Sequence, residues 1–246
     1  MRVAIVGYGR MGHEVEAVLG ERGHAAVVAP RGAFPADCPV GIDFTRPEAV
    51  RGNLERALAA GACYVIGTTG WEAQRQELLA LVAARSGGVV HAANFSVGVN
   101  LFYRIVEQAA RLVCRVPEFD PYVVEKHHRL KRDAPSGTAK VLARALEAAY
   151  APRTAETALS GLLPKERFQV AAVRAGGIVG EHTVGFDSGG DEILLEHRAR
   201  SRRGFASGAV LAAEWIAGRS GVHGFDEVLD ELLAGPFGSR TAAAER

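Results

Sequence analysis

Short apolar runs alternate with segments of helical period through the first hundred residues. Arg2 to Val6 is an apolar run that stops at Gly7, and Val15, Val18 and Leu19 then recur at helical spacing, which predicts strand, turn and helix. Ala25 to Ala29 predicts a second strand ending at Pro30-Arg31, and Val40 to Phe44 a third. A helix is expected next, running to about Ala60 and stopped by Gly61, with Thr45 as N-cap and Glu48 completing a capping box. Cys63 to Ile66 and Val89 to Ala92 predict two more strands around a helix from about Glu72 to Ala84. Pro30, Pro35 and Pro39 crowd the interval between the second and third strands, leaving little room for a crossover helix. Strands alternating with helices predict an α/β fold whose N-terminal domain is a Rossmann-like, doubly wound parallel sheet. Ligands of such a sheet lie beyond the carboxyl ends of its strands, where GYGRMG, GTTG and ANFS fall.

The pattern then changes. Gly98 to Val113 is helical, with Leu101, Ile105, Ala109 and Leu112 on one face, and Tyr122 to Glu125 reads as a strand. A helix begins near Ser136, with Ala139, Leu142, Ala143, Leu146 and Ala149 recurring at three and four. Gln169 to Arg174, His182 to Phe186 and Glu192 to His197 are strand-like, with Gly176-Gly177 and Ser188-Gly189-Gly190 as turns between them. A second α+β domain with a mixed sheet is expected over residues 98–202. Apolar helices at Phe205 to Ala217 and Phe225 to Leu233 return the chain to the first domain, residues 1–97 plus 203–246. The small, polar tail Gly238 to Arg246 is expected to fray.

Composition narrows the function classes. Apolar residues make up 48%, as in a folded globular chain, and the net charge of +1 disfavours a general polyanion-binding role, so no nucleic-acid partner is expected. No apolar run is long enough for a membrane span, and MRVAIVGYG reads as a strand rather than a signal peptide. Three widely spaced cysteines suit a reducing compartment and neither a disulfide framework nor a zinc site, so the cytoplasm is expected.

Within that frame two stretches carry chemistry. Gly7-Tyr8-Gly9-Arg10-Met11-Gly12 is a full G-x-G-x-x-G between strand and helix, the context in which glycines let the backbone approach a dinucleotide pyrophosphate. No acidic ribose ligand follows the second strand; Arg31 stands there instead, which leans towards the 2′-phosphate of NADPH and leaves NADH open. The second stretch is EKHHRLKRDAPSGTA, Glu125 to Ala139. Ser136 is a good N-cap that leaves the N–H groups of Gly137 and Thr138 for an anion, and His127, His128 and Lys131 add positive charge and exchangeable protons. Such a volume suits a carboxylate substrate. Lys126, Arg129 and Arg132 read as solvated. His13, His24, His91, His182, His197 and His223 read as structural, and no metal site is expected, since no cysteine or carboxylate cluster surrounds the histidine pair. A different imine-reducing Rossmann enzyme and a nucleotide-binding redox sensor remain open on these residues alone.

The long motif E-x-HHxxKxDAPSGTA resembles the signature of 4-hydroxy-tetrahydrodipicolinate reductase, formerly dihydrodipicolinate reductase. GYGRMG, IDFTRPE, VIGTTG, ANFSVGVN, VRAGGIVGEHTVGF and FASGAVLAAEWI extend the likeness over most of the chain in the same order. The resemblance implies an NADH- or NADPH-dependent oxidoreductase of the diaminopimelate–lysine route, acting on a small cyclic dicarboxylate, with a second domain that also builds a homotetramer. It implies that His127 is the proton donor and acceptor and Lys131 a second donor, with His128, Ser136, Gly137 and Thr138 around the substrate. It places Gly7, Tyr8, Gly9, Arg10, Met11 and Gly12 on the pyrophosphate, and Gly67, Thr68, Thr69, Ala92, Ala93, Asn94 and Phe95 at the nicotinamide end. Pro30 stands where many members carry the acidic ribose ligand.

Overall fold

The structure is a computed structural model that describes residues 1–235. The expected fraying at Gly238 to Arg246 lies outside the described residues. The chain divides into two compact units, Met1–Val97 with the chain from Arg202 onward, and Gly98–Ser201. No helix among the described residues is long and apolar enough to cross a membrane.

The first unit begins with β1 (Arg2–Val6), α1 (Arg10–Glu21), β2 (Ala25–Val28), β3 (Val40–Asp43) and α2 (Pro47–Ala59). It continues through β4 (Cys63–Ile66), a short 3-10 turn at Glu72–Gln74, α3 (Arg75–Ala84) and β5 (Gly88–His91). In the second unit come α4 (Val97–Val113), β6 (Asp120–His127), α5 (Gly137–Ala149), β7 (Thr154–Glu156), β8 (Arg167–Arg174), β9 (Glu181–Asp187) and β10 (Glu192–Arg198). The chain closes in the first unit with α6 (Arg203–Ile216), β11 (Gly221–Gly224) and α7 (Phe225–Ala234).

Six strands form a parallel sheet in the order β11-β5-β4-β3-β1-β2. Its central strands are buried throughout: Val3, Ala4, Val40, Ile42, Tyr64, Val65 and Val90 are at 0% exposure, as expected where helices cover both faces. Helix α6 packs with α1 on one face, and Val50, Leu54 and Ala57 of α2 with Leu78 and Val82 of α3 form the core on the other. No helix joins β2 to β3, so the Pro-rich interval does what its composition predicts. Strand β11, invisible to alternation in Gly-Val-His-Gly, adds an edge to β5 by backbone pairing, with Val222 packed on the core below it.

The second unit holds a five-stranded mixed sheet, β10-β9-β6-β8-β7, in which β6 and β8 run parallel and β9 antiparallel to β6. Val123, Phe168, Val170, Val184 and Phe186 face Leu142 and Leu146 of α5, and the other side of the sheet carries Tyr122, Val124, Ala171 and Thr183. Helix α4 forms as expected, and the face named from the sequence is not its buried one. Phe102, Val106, Ala110 and Val113 are the buried stripe, whereas Ile105 and Leu112 are 54% and 69% exposed. Both stripes are apolar at helical spacing, and the one bearing Phe102 fills the core beside α5.

Thr45 is also corrected. It makes no cap: α2 starts from Arg46 in extended backbone with Pro47 at its first position, and no side chain caps it. Thr45 turns back to Asp43 instead. That carboxylate is fully buried and accepts from the Thr45 N–H (2.8 Å) and hydroxyl (2.6 Å), Thr68 Oγ1 (2.9 Å), the Tyr64 hydroxyl (2.9 Å) and Asn53 Nδ2 (3.0 Å). A buried charge is tolerated when its lone pairs are filled in this way. The knot ties the loop after β3 to the Gly67-Thr68-Thr69 turn after β4.

Candidate functional site

The nucleotide unit presents its loops at the carboxyl ends of β1, β3, β4 and β5. Gly7 has a φ of +92°, and a Cβ on Gly12 would stand 2.5 Å from the Gly7 carbonyl oxygen, so the turn closes only with glycine at both places. Gly9 sits in extended backbone as the residue before α1, and α1 carries no acidic residue in its first turn. Its positive end carries no acid in its own first turn, and the cradle fits a pyrophosphate. Tyr8 is exposed, donates to Glu16 Oε2 (2.5 Å) and packs on His13, while Arg10 is exposed and Met11 packs against the core. Arg31 is exposed on the turn after β2, where the Ala33 N–H donates to the Pro30 carbonyl.

A cavity of about 180 Å³ brings together Thr68, Thr69, Ala92 and Ala93 from the two turns expected at the nicotinamide end, and adds Trp71, Arg75 and His91, which sequence reasoning missed. His91 sits edge-on to Trp71 and 3.4 Å from Arg75, and burial, helped by the Arg75 charge, lowers its pKa. The other predicted residues play different parts. The Phe95 ring lies in the core against Phe225, leaving only its backbone for a ligand, and Asn94 Oδ1 accepts from the Ser96 N–H to shape the turn. The Thr68 hydroxyl is committed to Asp43.

In the second unit, strand β6 runs two residues beyond its expected end and carries His127 as its last residue. Register with β8 sets His127 beside Arg174, and pairing with β9 sets Glu125 opposite His182. Glu125 and His127 alternate onto one side of β6, both buried. Glu125 Oε2 accepts from His127 Nδ1 in a very short contact; Glu125 Oε1 accepts from Arg174 (2.6 Å) and from the Ser136 N–H (3.1 Å). Burial alone raises the Glu125 pKa, but the hydrogen bonds from His127 and Arg174 win and hold it at about 2. Ser136 caps α5 by accepting from the Ala139 N–H (3.2 Å), as the sequence predicts, and its hydroxyl also meets His182 Nε2 at 3.1 Å. The His182 ring stands edge-on to His127 with centroids 5.1 Å apart, and burial, with the His127 charge, depresses its pKa to about 4.

Around this knot lie the other predicted residues. Helix α5 has no acidic residue in its first turn, so the N–H groups of Gly137 and Thr138 remain an anion site next to the capped end. The Thr138 hydroxyl accepts from Tyr103 of α4 (3.1 Å), and nothing of the protein crowds Gly137. Lys131 Nζ pairs with Asp133 at 2.9 Å, its N–H donating to the His128 carbonyl in the loop between β6 and α5; His128 is half-buried. Lys126, expected to be solvated, pairs with Glu181 at 3.3 Å. The sequence assigns no site role to Glu125 or Arg174 and reads His182 as structural, although all three stand in the quoted E-x-HH and VRAGGIVGEHTVGF stretches.

Glu125, His127 and His182 also bring three metal-type ligand atoms within 4.8 Å of one another, a grouping that sequence spacing did not predict. Both Glu125 oxygens are already engaged, one by a guanidinium, and a divalent cation beside Arg174 would meet its charge. The arrangement is suited instead to holding one imidazole and exchanging its proton beside an anion-binding helix start.

Comparison with known proteins places the chain in a family. The family profiles described as dihydrodipicolinate reductase, N-terminus and C-terminus, match residues 31–95 and 98–229. A 4-hydroxy-tetrahydrodipicolinate reductase of Archaeoglobus fulgidus is 43% identical, over 79% of this chain and 77% of that protein. One of Methanoregula boonei is 38% identical, over 76% and 73%. Among solved structures, a dipicolinate-bound dihydrodipicolinate reductase from Paenisporosarcina sp. TG-14 shares the fold, with a TM-score of 0.71 at 23% identity, covering 91% of this chain and 97% of that one. With both profiles matched in order and relatives 43% and 38% identical over most of the chain, the chain belongs to the dihydrodipicolinate reductase family.

Proposed function

We propose that this protein reduces 4-hydroxy-tetrahydrodipicolinate to tetrahydrodipicolinate with NAD(P)H, on the diaminopimelate route to lysine. The observation that carries the reading is the Glu125–His127–Ser136 knot joined to an α5 whose own first turn has no acidic residue. A bound nicotinamide dinucleotide supplies the hydride. The Gly7–Gly12 loop and the N-terminus of α1 hold its pyrophosphate, and Thr69, Ala92 and Ala93 line the nicotinamide end. One substrate carboxylate docks on the N–H groups of Gly137 and Thr138, with His128 and Lys131 completing the charge. That docking fixes the ring, and a ring that gains hydride also gains a proton, which His127 or Lys131 supplies. The reading has the enzyme in the cytoplasm.

An assay of reduced-cofactor consumption tests it. Turnover with the cyclic dicarboxylate and none with a panel of acyclic imines is the expected result; the reverse selectivity rejects the substrate. The same assay addresses the cofactor. The exposed Arg31 and the absence of an acid at Pro30 favour NADPH. Arg31→Ala is expected to lower kcat/KM for NADPH by about tenfold, the scale of one lost charge-assisted contact, and to leave NADH nearly unchanged. An equal effect on both cofactors rejects phosphate recognition.

The second unit is also read as the tetramer-forming part. The side of its sheet away from α5 carries Leu194 and Val173, 53% and 42% exposed, beside the half-buried Tyr122 and Val124. That side also carries the Lys126–Glu181 pair, Glu192 and Glu196, no helix of its own unit lies on it, and the apolar positions among these charges gain by burial between subunits. Light scattering is expected to give four times the chain mass of 26.1 kDa, and Leu194→Arg to lower it; a monomeric wild type rejects the assembly.

A further inference from the structure

We propose that Glu125 is the positioning residue for His127: it holds the Nδ1 hydrogen, so that Nε2 is the nitrogen that exchanges a proton with the substrate. The inference rests on the reading of His127 as the proton donor.

An ionised carboxylate has no hydrogen to give, so the hydrogen between Glu125 Oε2 and His127 Nδ1 belongs to the imidazole. Glu125 is fully buried and kept ionised by partners from three places: His127 on its own strand, Arg174 of β8 and the Ser136 N–H at the start of α5. Because Oε1 is filled by Arg174 and Ser136, only Oε2 is left for the ring, which fixes its orientation as well as its tautomer. The neutral ring then has its lone pair at Nε2, and the charged ring carries its second hydrogen there.

The surroundings of Nε2 agree. Gly180, just before β9, faces it, and a Cβ at that position would stand 3.1 Å from Nε2 and 3.4 Å from Cδ2. The missing side chain keeps that edge of the imidazole uncrowded. His182 of β9 packs against the ring edge-on and is itself tethered to Ser136. Burial keeps His182 neutral, so it wedges the ring without competing as an acid. The charged and titratable groups around the pair are Glu125, Arg174 and His182, with Lys131 and His197 close enough to act on His182 through their charge.

In the transfer, the N–H bond at Nε2 breaks, its electron pair stays on the imidazole, and the proton passes to the substrate to balance the hydride's negative charge. Nδ1 keeps its hydrogen, and Glu125 stays ionised throughout.

Nitrogen-15 NMR of His127 in the wild-type protein tests this without a substitution. Recorded at a pH where the ring is neutral, the spectrum is expected to show its hydrogen on Nδ1; a neutral ring with its hydrogen on Nε2 overturns the proposal. Glu125→Gln is expected to lose the single tautomer and to lower kcat by about tenfold or more. KM for the dicarboxylate should stay within a few-fold, since α5 still offers its N–H groups. Glu125→Asp is expected to restore the tautomer and part of the rate. Wild-type kcat in Glu125→Gln beside an inactive His127→Ala removes the inference alone. Full activity of His127→Ala removes the underlying reading, and the inference with it.

Discussion

His127→Ala is expected to lower kcat by about two orders of magnitude or more, with the dissociation constant for reduced cofactor unchanged, and Lys131→Ala to do likewise. The two residues occupy different environments. His127 is held at the end of β6 by a buried carboxylate, whereas Lys131 lies in the loop before α5 and pairs with an exposed aspartate. A group that only stabilises the fold would change activity and unfolding together. Here the loss is expected in kcat, since the glycine loop proposed to hold the cofactor belongs to the other unit. In the proposed reading Lys131 also attracts the substrate carboxylate, so its loss is expected to raise KM by about tenfold as well. Stopped-flow measurement of the chemical step with saturating cofactor, beside cofactor titration by fluorescence quenching, separates these effects. Wild-type rates in the double variant would end the assignment.

The second large effect concerns stability in acid. His182 is 4% exposed and its pKa falls from about 6.5 in the unfolded chain to about 4 in the fold, mainly because burial disfavours the charged ring. Its stabilising contribution is complete above pH 6.5 and is lost as pH falls through 4, because the unfolded chain takes up the proton first. A shift of that size corresponds to about 3 kcal/mol. Glu125 extends the loss downward. With its pKa held at about 2, it stabilises above the ordinary carboxylate range and gives that up as pH falls from about 4.5 to 2. His91 and His197 are lowered by burial as well and act in the same direction, whereas His223, raised by its bond to Glu227 against the cost of burial, opposes them. Comparing His182→Asn with the wild type isolates one group from this sum. The wild-type urea midpoint is expected to fall between pH 7 and pH 4.5, and the variant to fall by less. Parallel pH profiles for the two proteins would remove His182 as the cause.

Both effects arise from strand register, which is why they were unevenly visible in the chain. His127, Lys131 and the Ser136 cap stand within ten residues of one another, so local spacing exposes them. His182 lies 46 residues from Ser136, and Arg174 lies 49 from Glu125; each reaches the knot only because β8 and β9 flank β6. Asp43 is similar. The sequence showed Thr45 before a proline-led helix, a fair place for a cap, but a buried carboxylate two residues earlier needed partners and took the hydroxyl. The buried stripe of α4 was not legible for a different reason. Two apolar stripes share that helix, and periodicity cannot tell a core face from an exposed one when both are apolar.

The sequence by itself determined the parallel sheet with its glycine loop, the mixed second sheet, and the capped helix start behind the histidine pair. These follow from hydrophobic period, glycine placement and capping chemistry, which act within a few residues. Tertiary structure alone decided which imidazole nitrogen faces Glu125, that His182 stays neutral, which stripe of α4 is buried, and that Asp43 ties the β3 and β4 turns together. Burial and charge pairing depend on what the sheet brings alongside, and that is set by register between strands far apart in the chain.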